Sequence, residues 1–217
     1  MVVSICLVPP LAKMAGRVPL PLSHKSLKPL NIATCILNRH YVVPKLRSIA
    51  IVVADNMEKE YPDTKILYLD ANFPFLNGFP LIPHLSHCDG EKMDFAFCYK
   101  NTHSGTPVND APSWIGYGIC EEPQENEENR PANCEQLGYY QYDILRKMVP
   151  QANKEVFTFD ADKTRNLIVL FAEKKDIGKI FLEPHLKTRL VLGEYQKIRF
   201  HGCQAVRHDD HFHVQMK

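Results

Sequence analysis

The chain has 217 residues, of which 45% are hydrophobic and 24% are charged, and its formal net charge is +1. This length suits one domain with a sizeable core, or one domain with a loose extension. A net charge so close to zero gives no reason to expect nucleic acid or an anionic membrane as the main partner. The sequence has no run of about 18 apolar residues, so no transmembrane segment is predicted.

The first 40 residues show no clear period and contain Pro9, Pro10, Pro19, Pro21 and Pro29. We therefore predict a poorly determined N-terminal extension over 1–40, followed by a single domain over 41–217. The opening stretch MVVSICLVPPLAKMAGR has an apolar run of signal-peptide length. No basic residue precedes that run and its cleavage pattern is unclear, so the sequence alone leaves the compartment open.

A helix is predicted to begin at Pro44, because apolar residues recur at helical spacing after it and Tyr61-Pro62-Asp63 would end it. TKILYLD then predicts a strand from Thr64 to Asp70. MDFAFCY predicts a second strand with strict alternation. In that strand Phe95, Phe97 and Tyr99 share one face, while Asp94, Ala96 and Cys98 share the other.

The stretch 121–136 is acidic and lacks apolar anchors, which indicates a surface loop. Further helices are predicted over about 136–149 and 161–175, and a short one is entered through Pro184. GKIFLEP and HFHVQM predict the last two strands. Because helices and strands mix without regular βαβ alternation, we expect an α+β fold with a small antiparallel sheet flanked by helices. The region 101–136, which includes WIGYGICEEP, carries no motif with an assigned role.

A first group of potential metal ligands lies in PHLSHCDGEKMD, which contains His84, Ser86, His87 and Asp94. His87 stands just before a turn that Gly90 can make. Asp94 opens the following strand on the face opposite Phe95. Both side chains can therefore converge on one point at the lip of a sheet.

A second group closes the chain in RHDDHFHVQMK, with His208, His211 and His213 beside two aspartates. His211 and His213 are two residues apart, so on a strand they project from the same face. Two imidazoles and a carboxylate are a usual ligand set for a catalytic zinc ion, with one position left open. An isolated HxH is more typical of a polar surface, so the metal prediction depends on the two groups together.

The pattern SHxxGxxxD with a distant terminal HxH resembles the LAS zinc metallopeptidases, most closely the penicillin-insensitive murein endopeptidases. The likeness covers residues 70–100 and 178–217. It implies that His87, Asp94 and His213 hold one zinc ion, that His211 is the catalytic partner, and that His208 is a second catalytic histidine. It also matches His84 to a position near the metal, with Ser86 beside it, and a structural hydrogen-bonding role is the alternative for His84.

Two acidic residues have alternative interpretations. Asp210 could orient a histidine N–H group or belong to a charged loop. Glu183 could be a general base or could cap the helix entered through Pro184. Seven cysteines without a CxxC exclude a zinc ribbon, and the sequence leaves their pairing open. Cys203 in particular could be a disulfide partner or a core residue.

The resemblance implies a zinc-dependent amide-bond hydrolase acting on peptidoglycan stem peptides or other D-amino-acid-containing peptides, in the periplasm or secreted. The alternative is a non-catalytic metal-binding or cell-wall-binding module on the same scaffold. A histidine at 211 in addition to the three ligands favours catalysis. The sequence does not predict the scissile bond or the oligomeric state.

Overall fold

The computed structural model describes residues 6–82 and 84–217, which form seven α-helices and eleven strands. The helices are α1 (Val8–Met14), α2 (Ile32–Ile36), α3 (Pro44–Glu60), α4 (Arg130–Gln136), α5 (Ile144–Met148), α6 (Ala161–Ala172) and α7 (Pro184–Arg189). The strands are β1 (Val18–Pro19), β2 (Leu27–Pro29), β3 (Tyr41–Val42), β4 (Ile66–Tyr68), β5 (Lys92–Ala96), β6 (Tyr99–Asn101), β7 (Pro107–Val108), β8 (Phe157–Phe159), β9 (Ile177–Phe181), β10 (Ile198–Arg199) and β11 (His211–Met216).

Six strands form the main sheet in the order β10-β9-β11-β5-β4-β2. The centre of this sheet is antiparallel, because β11 pairs with β5 on one side and with β9 on the other. The outer pairs, β9 with β10 and β2 with β4, are parallel. The predicted mixture of helices with a small antiparallel sheet is therefore confirmed in outline, although the main sheet also has parallel edges. A three-stranded antiparallel sheet, β7-β6-β8, lies beside it.

One face of the main sheet forms the hydrophobic core. Phe95 and Phe212 stack with ring centroids 5.3 Å apart, and Phe171 of α6 lies 4.6 Å from Phe95. α6 also contacts α3, so the two long helices cover this face together. Alternation along β5 and β11 then directs the intervening polar side chains to the opposite face.

Helix α3 begins and ends as predicted, with proline at its first position and Tyr61 directly after it. Its buried residues recur at intervals of three and four and form one apolar stripe against the sheet; they are Leu46, Ile49, Ala50, Val53, Ala54 and Met57. α6 is capped by Asp160, whose side chain accepts the backbone N–H of Lys163. None of the helices in the described ranges is long and apolar enough to cross a membrane.

The expectation of a poorly determined extension over 1–40 is wrong for residues 18–40. There β1 pairs with β3, and β2 forms an edge of the main sheet. Leu20 and Leu27 are buried in the core. β1 and β2 have only two and three residues, too few to show a periodicity in the sequence. They form strands because they pair with segments farther along the chain. Residues 1–5 lie outside the described residues.

The predicted strand MDFAFCY is in fact two strands in two sheets. β5 ends at Ala96 and β6 begins at Tyr99. Between them, Cys98 bonds to the start of α6: its N–H donates to Thr164 Oγ1 and its carbonyl accepts the N–H of Asp160. The alternation of the side chains continues through this break, and for that reason the sequence pattern did not reveal it.

The acidic stretch 121–136 is only partly a loop, because α4 occupies its second half. The predicted helix over 136–149 is broken into a 3-10 turn at Tyr140–Asp143 and the short α5. Cys134 of α4 is buried and forms a disulfide with Cys203, 69 residues away. This bond ties the acidic stretch to the segment that leads into β11.

Removing the disulfide is expected to lower the free energy of unfolding by about 2–5 kcal/mol, because a long loop would regain its freedom in the unfolded chain. Urea unfolding of wild type and of the double variant Cys134→Ser/Cys203→Ser measures the loss. A reducing agent should destabilise wild type by a similar amount and leave the double variant unchanged. Equal stability of wild type with and without the reducing agent would contradict the prediction.

Candidate metal centre

The central strand pair brings the two predicted groups of ligands together. In the register of β5 and β11, His213 lies directly opposite Asp94, and His211 lies opposite Ala96. Phe212 points to the other face, where it packs on Phe95. The alternation of both strands therefore places Asp94, His211 and His213 on the face away from the core, as the sequence predicts.

His84 and His87 come from the loop between β4 and β5. The loop turns at Gly90, which has a φ of +88° and leaves no space for a side chain, since a Cβ would lie 2.9 Å from Arg17 Nε. His87 is completely buried, and its Nδ1 lies 2.7 Å from the carbonyl oxygen of Ala71. Because a carbonyl can only accept, the proton stays on Nδ1 and the lone pair of Nε2 is free to bind an ion.

Three ligand atoms converge at this point. His87 Nε2 lies 2.9 Å from His213 Nδ1 and 3.2 Å from Asp94 Oδ1, and His213 Nδ1 lies 2.9 Å from Asp94 Oδ1. Ligands that share a zinc ion at bond lengths of ~2.0–2.2 Å lie roughly 3–4 Å apart. The spacing of these three atoms is close to that range.

His84 is a further potential ligand in the same cluster. Its Nδ1 lies 2.8 Å from Asp94 Oδ2, yet neither of its ring nitrogens makes a hydrogen bond within the described part of the chain. His84, His87 and Asp94 each offer a ligand atom, and these atoms all lie within 4.8 Å of one another. This buried group can hold a metal ion. His87 and Asp94 thus belong to both possible ligand sets, and either His84 or His213 can supply the third ligand.

The protonation states of Asp94 and His213 suit metal binding. Burial opposes the charge on Asp94, but the neighbouring His87, His84 and His211 hold its pKa well below the ordinary value. Burial lowers the pKa of His213 to about 3, so this imidazole is neutral. Burial also lowers the pKa of His87, but the charge of Asp94 outweighs this effect and raises it overall. A metal would therefore compete with a proton at His87.

His211 is held differently from His213. Its Nδ1 bonds to Asp210 Oδ1, and its Nε2 has no hydrogen-bond partner in the described ranges although it is buried. Nε2 lies 3.8 Å from Asp94 Oδ2, farther away than the nitrogens of His84, His87 and His213. Asp210 is in turn fixed by the backbone N–H of Gly118. Of the two interpretations of Asp210, an orienting residue or part of a charged loop, these contacts therefore favour the first.

His208 lies beside the cluster, with its ring centroid 4.9 Å from that of His211. Burial lowers its pKa well below the ordinary value, so the ring is neutral. Its backbone N–H donates to Glu183 Oε1 at 3.2 Å. Glu183 stands at the N-cap position of α7 but makes no capping hydrogen bond with its side chain. It is buried, so the predicted cap is not observed, and the role of a general base stays a prediction.

Glu183 should make stability depend on pH. Burial, with the charge of Asp209 nearby, raises the pKa of Glu183 to about 8. In the unfolded chain this carboxyl ionises near ~4.3, so its contribution to folding is full below that pH and is lost as the pH rises toward 8. Glu183→Gln, which cannot ionise, is expected to exceed wild type in stability at pH 8.5 by about 1–3 kcal/mol. Urea titrations at pH 8.5 and pH 5 test this, and a larger gain at pH 5 would contradict it.

A cleft of about 460 Å³ opens over the metal cluster. His84, His87, His208 and His213 line it together with apolar and amide side chains: Ile82, Leu85, Ile144, Val206, Gln141 and Gln204. Ser86 also lines the cleft. Volumes of this size are typical of sites for small ligands.

Sequence reasoning missed a layer of buried polar residues behind the cluster. Tyr117 donates a hydrogen bond from its hydroxyl to Asp94 Oδ2 at 3.0 Å. Asp70 pairs with Arg39 through two bonds of 2.6 and 2.7 Å. Arg207 is buried between Asp209, Asp143 and Glu122. Apart from the pair of Arg207 with Asp209, these contacts join segments that are distant along the chain, so no local pattern predicts them.

No protein-family model and no curated protein matches the chain. The likeness to the LAS metallopeptidases therefore remains an expectation from the quoted sequence motifs.

Proposed function

We propose that this protein is a zinc-dependent hydrolase of amide bonds that acts on short peptides. The observation that carries the proposal is the convergence of His87 Nε2, His213 Nδ1 and Asp94 Oδ1, mutually 2.9–3.2 Å apart, under an open cleft. Two neutral imidazoles and one carboxylate form the donor set of many catalytic zinc sites, and they leave a position for substrate or water.

The donor set suits zinc better than softer or harder metals. Imidazole nitrogens favour zinc over magnesium or calcium, and the carboxylate argues against a site selective for Cu(I). The hydrogen bond from His87 Nδ1 to the carbonyl oxygen of Ala71 is the usual orienting contact of a zinc-binding histidine. When bound, zinc would polarise the scissile carbonyl and make a water molecule more acidic.

The remaining histidines supply the proton transfers. His211 Nε2 has no hydrogen-bond partner among residues 6–82 and 84–217 and lies 3.8 Å from Asp94 Oδ2, while Asp210 fixes the ring from the other side. Such an imidazole can accept a proton from the attacking water and return it to the leaving amine. His208 is neutral and lines the cleft, so it can donate a hydrogen bond to the charge that develops on the substrate.

The substrate class comes from the resemblance to murein endopeptidases. We propose peptidoglycan stem peptides or other D-amino-acid-containing peptides, cleaved in the periplasm or outside the cell. The disulfide between Cys134 and Cys203 supports an oxidising compartment of this kind. The cleft volume of about 460 Å³ lies in the range of small-ligand sites, which suits a short peptide.

A second candidate function is a non-catalytic metal-binding module, and the position of His84 favours it. His84 Nδ1 is free of hydrogen bonds within the described residues and lies 2.8 Å from Asp94 Oδ2. If His84 joined His87, Asp94 and His213, zinc would have four protein ligands and no open position, which is the arrangement of a structural site.

Product analysis distinguishes the two functions. The zinc-loaded protein is incubated with muropeptides and, separately, with the dipeptide D-Ala-D-Ala, and products are identified by mass. The matched control is the same protein after chelation and again after zinc is restored. We expect cleavage that is lost on chelation and regained with zinc. A protein that binds one zinc ion tightly and releases no product from either substrate would favour the non-catalytic module.

A further inference from the structure

The segment Gly116–Tyr117–Gly118 lies directly behind the metal cluster. Tyr117 is buried, and its hydroxyl donates to Asp94 Oδ2 at 3.0 Å while it accepts the backbone N–H of Asp70 at 3.1 Å. Its ring stands edge-on to His84 and to His211, with centroids 4.6 and 4.8 Å away. A single tyrosine thus contacts three residues of the proposed centre.

Both glycines of the segment are needed for this close approach. Gly116 and Gly118 have φ values of +84° and +85°. A Cβ at Gly116 would lie 2.3 Å from Leu69 Cδ2, and one at Gly118 would lie 2.7 Å from the carbonyl oxygen of Leu145. No other residue fits either position without rearrangement. The sequence GYG is therefore built to place a tyrosine between two tightly packed turns.

The same segment also supports the proposed base. The N–H of Gly118 donates to Asp210 Oδ2, and Asp210 Oδ1 bonds to His211 Nδ1. The carbonyl of Gly118 is itself fixed by Gln151 Nε2 at 2.8 Å. One tripeptide thereby contacts both Asp94, a proposed metal ligand, and the aspartate that orients His211.

We infer that Gly116–Tyr117–Gly118 is the positioning element of this centre, an inference that rests on the proposed function. The Tyr117 hydroxyl donates a hydrogen bond to Oδ2 of Asp94, and this bond turns Oδ1 toward His87 and His213. Gly118 fixes Asp210, and this bond orients His211. The terminal torsion of an aspartate is soft, so the carboxylate would rotate among several orientations without the tyrosine hydroxyl. Tyr117 acts through Asp94 and does not itself contact the substrate.

Zinc affinity tests the role of Tyr117, with Tyr68→Phe as the matched control. Tyr68 is also completely buried, and its hydroxyl donates to the carbonyl of Pro21 at 3.0 Å. Tyr117→Phe is expected to weaken zinc binding by about 10–100-fold, the usual cost of losing a residue that orients a metal ligand. Tyr68→Phe should change the zinc Kd less than about twofold. Competition with a chromophoric chelator measures both Kd values, and far-UV circular dichroism checks the fold.

A second variant tests the other half of the element. Asp210→Asn is expected to keep the zinc Kd of wild type and to lower kcat by about 10–100-fold, because it disturbs the support of His211 and leaves all three ligands in place. The d–d spectrum of the cobalt-substituted proteins gives a separate readout. It should change in Tyr117→Phe, where the orientation of a ligand is disturbed, and should match wild type in Asp210→Asn.

The possible outcomes separate this inference from the proposed function. If wild type binds zinc and Tyr117→Phe binds it equally well, the positioning role is wrong while the hydrolase proposal stands. If Tyr68→Phe weakens zinc binding as much as Tyr117→Phe, the effect belongs to buried hydroxyls in general and the inference also fails. If wild type binds no zinc, both proposals are wrong.

Discussion

His211→Ala is expected to keep zinc at about one ion per chain and to lower turnover by about 10²–10⁴-fold, the typical contribution of a general acid–base group. The reason lies in the geometry of β11. His213 Nδ1 is 2.9 Å from Asp94 Oδ1, whereas His211 Nε2 is 3.8 Å from Asp94 Oδ2 and is oriented by Asp210 instead. Removing His211 therefore leaves the three proposed ligands in place.

Zinc content by mass spectrometry and peptide hydrolysis are measured on the same preparation of His211→Ala. The matched control is His103→Ala, which removes an exposed histidine that belongs to neither predicted group of ligands and should retain both zinc and turnover. Loss of zinc in His211→Ala would mean that His211 is a ligand and that its role is exchanged with that of another histidine. Full activity with zinc retained would contradict the proposed mechanism.

Asp94→Ala and His213→Ala are each expected to lose zinc and activity together. Each change removes one of the three proposed ligands, and Asp94 also carries the only charge that faces both His87 and His213 among the described contacts of the cluster. After dialysis against buffer without metal, we expect less than about 0.1 zinc ion per chain, since a two-ligand site holds zinc weakly. Melting temperatures with and without added zinc give an independent measure, because only a chain that binds zinc is stabilised by it.

His84→Ala is the informative comparison for these two variants. His84 lies as close to Asp94 as His213 does, at 2.8 Å against 2.9 Å, but it contacts the other carboxylate oxygen. If His84 only adjoins the site, the variant keeps zinc. If His84→Ala loses zinc while His213→Ala keeps it, the ion is bound by His84, His87 and Asp94, and the proposed ligand set is wrong.

The elements with strong local patterns were predicted well. The apolar stripe of α3 and the proline at its start define its bounds, and the alternation of HFHVQM defines β11. The same alternation placed Asp94 and His213 on one face of the sheet. The sequence predicts that Asp94 and His213 lie near each other, but it does not predict that they pair directly across β5 and β11. The register of these strands depends on the whole sheet, since the two residues are 119 positions apart in the chain.

The elements that sequence reasoning missed depend on distant partners. β2 is a strand because β4 lies beside it, and nothing in Leu27-Lys28-Pro29 predicts this. Arg207 is buried because three carboxylates surround it, although an isolated arginine is most often exposed. Tyr117 contacts Asp94 only after two turns at glycine have formed. The sequence shows the tripeptide G-Y-G, but the need for glycine at both positions follows only from how closely Leu69 and Leu145 approach them in the fold.

The most direct test of the proposed centre is a crystal structure of the zinc-loaded protein with anomalous diffraction data at the zinc edge. We expect one ion per chain, bonded at ~2.0–2.2 Å to His87 Nε2, His213 Nδ1 and Asp94 Oδ1, with a fourth position facing the cleft. His211 Nε2 should lie beside that position without a bond to the ion. An ion with four protein ligands that include His84 or His211, or an ion bound elsewhere, would contradict the account.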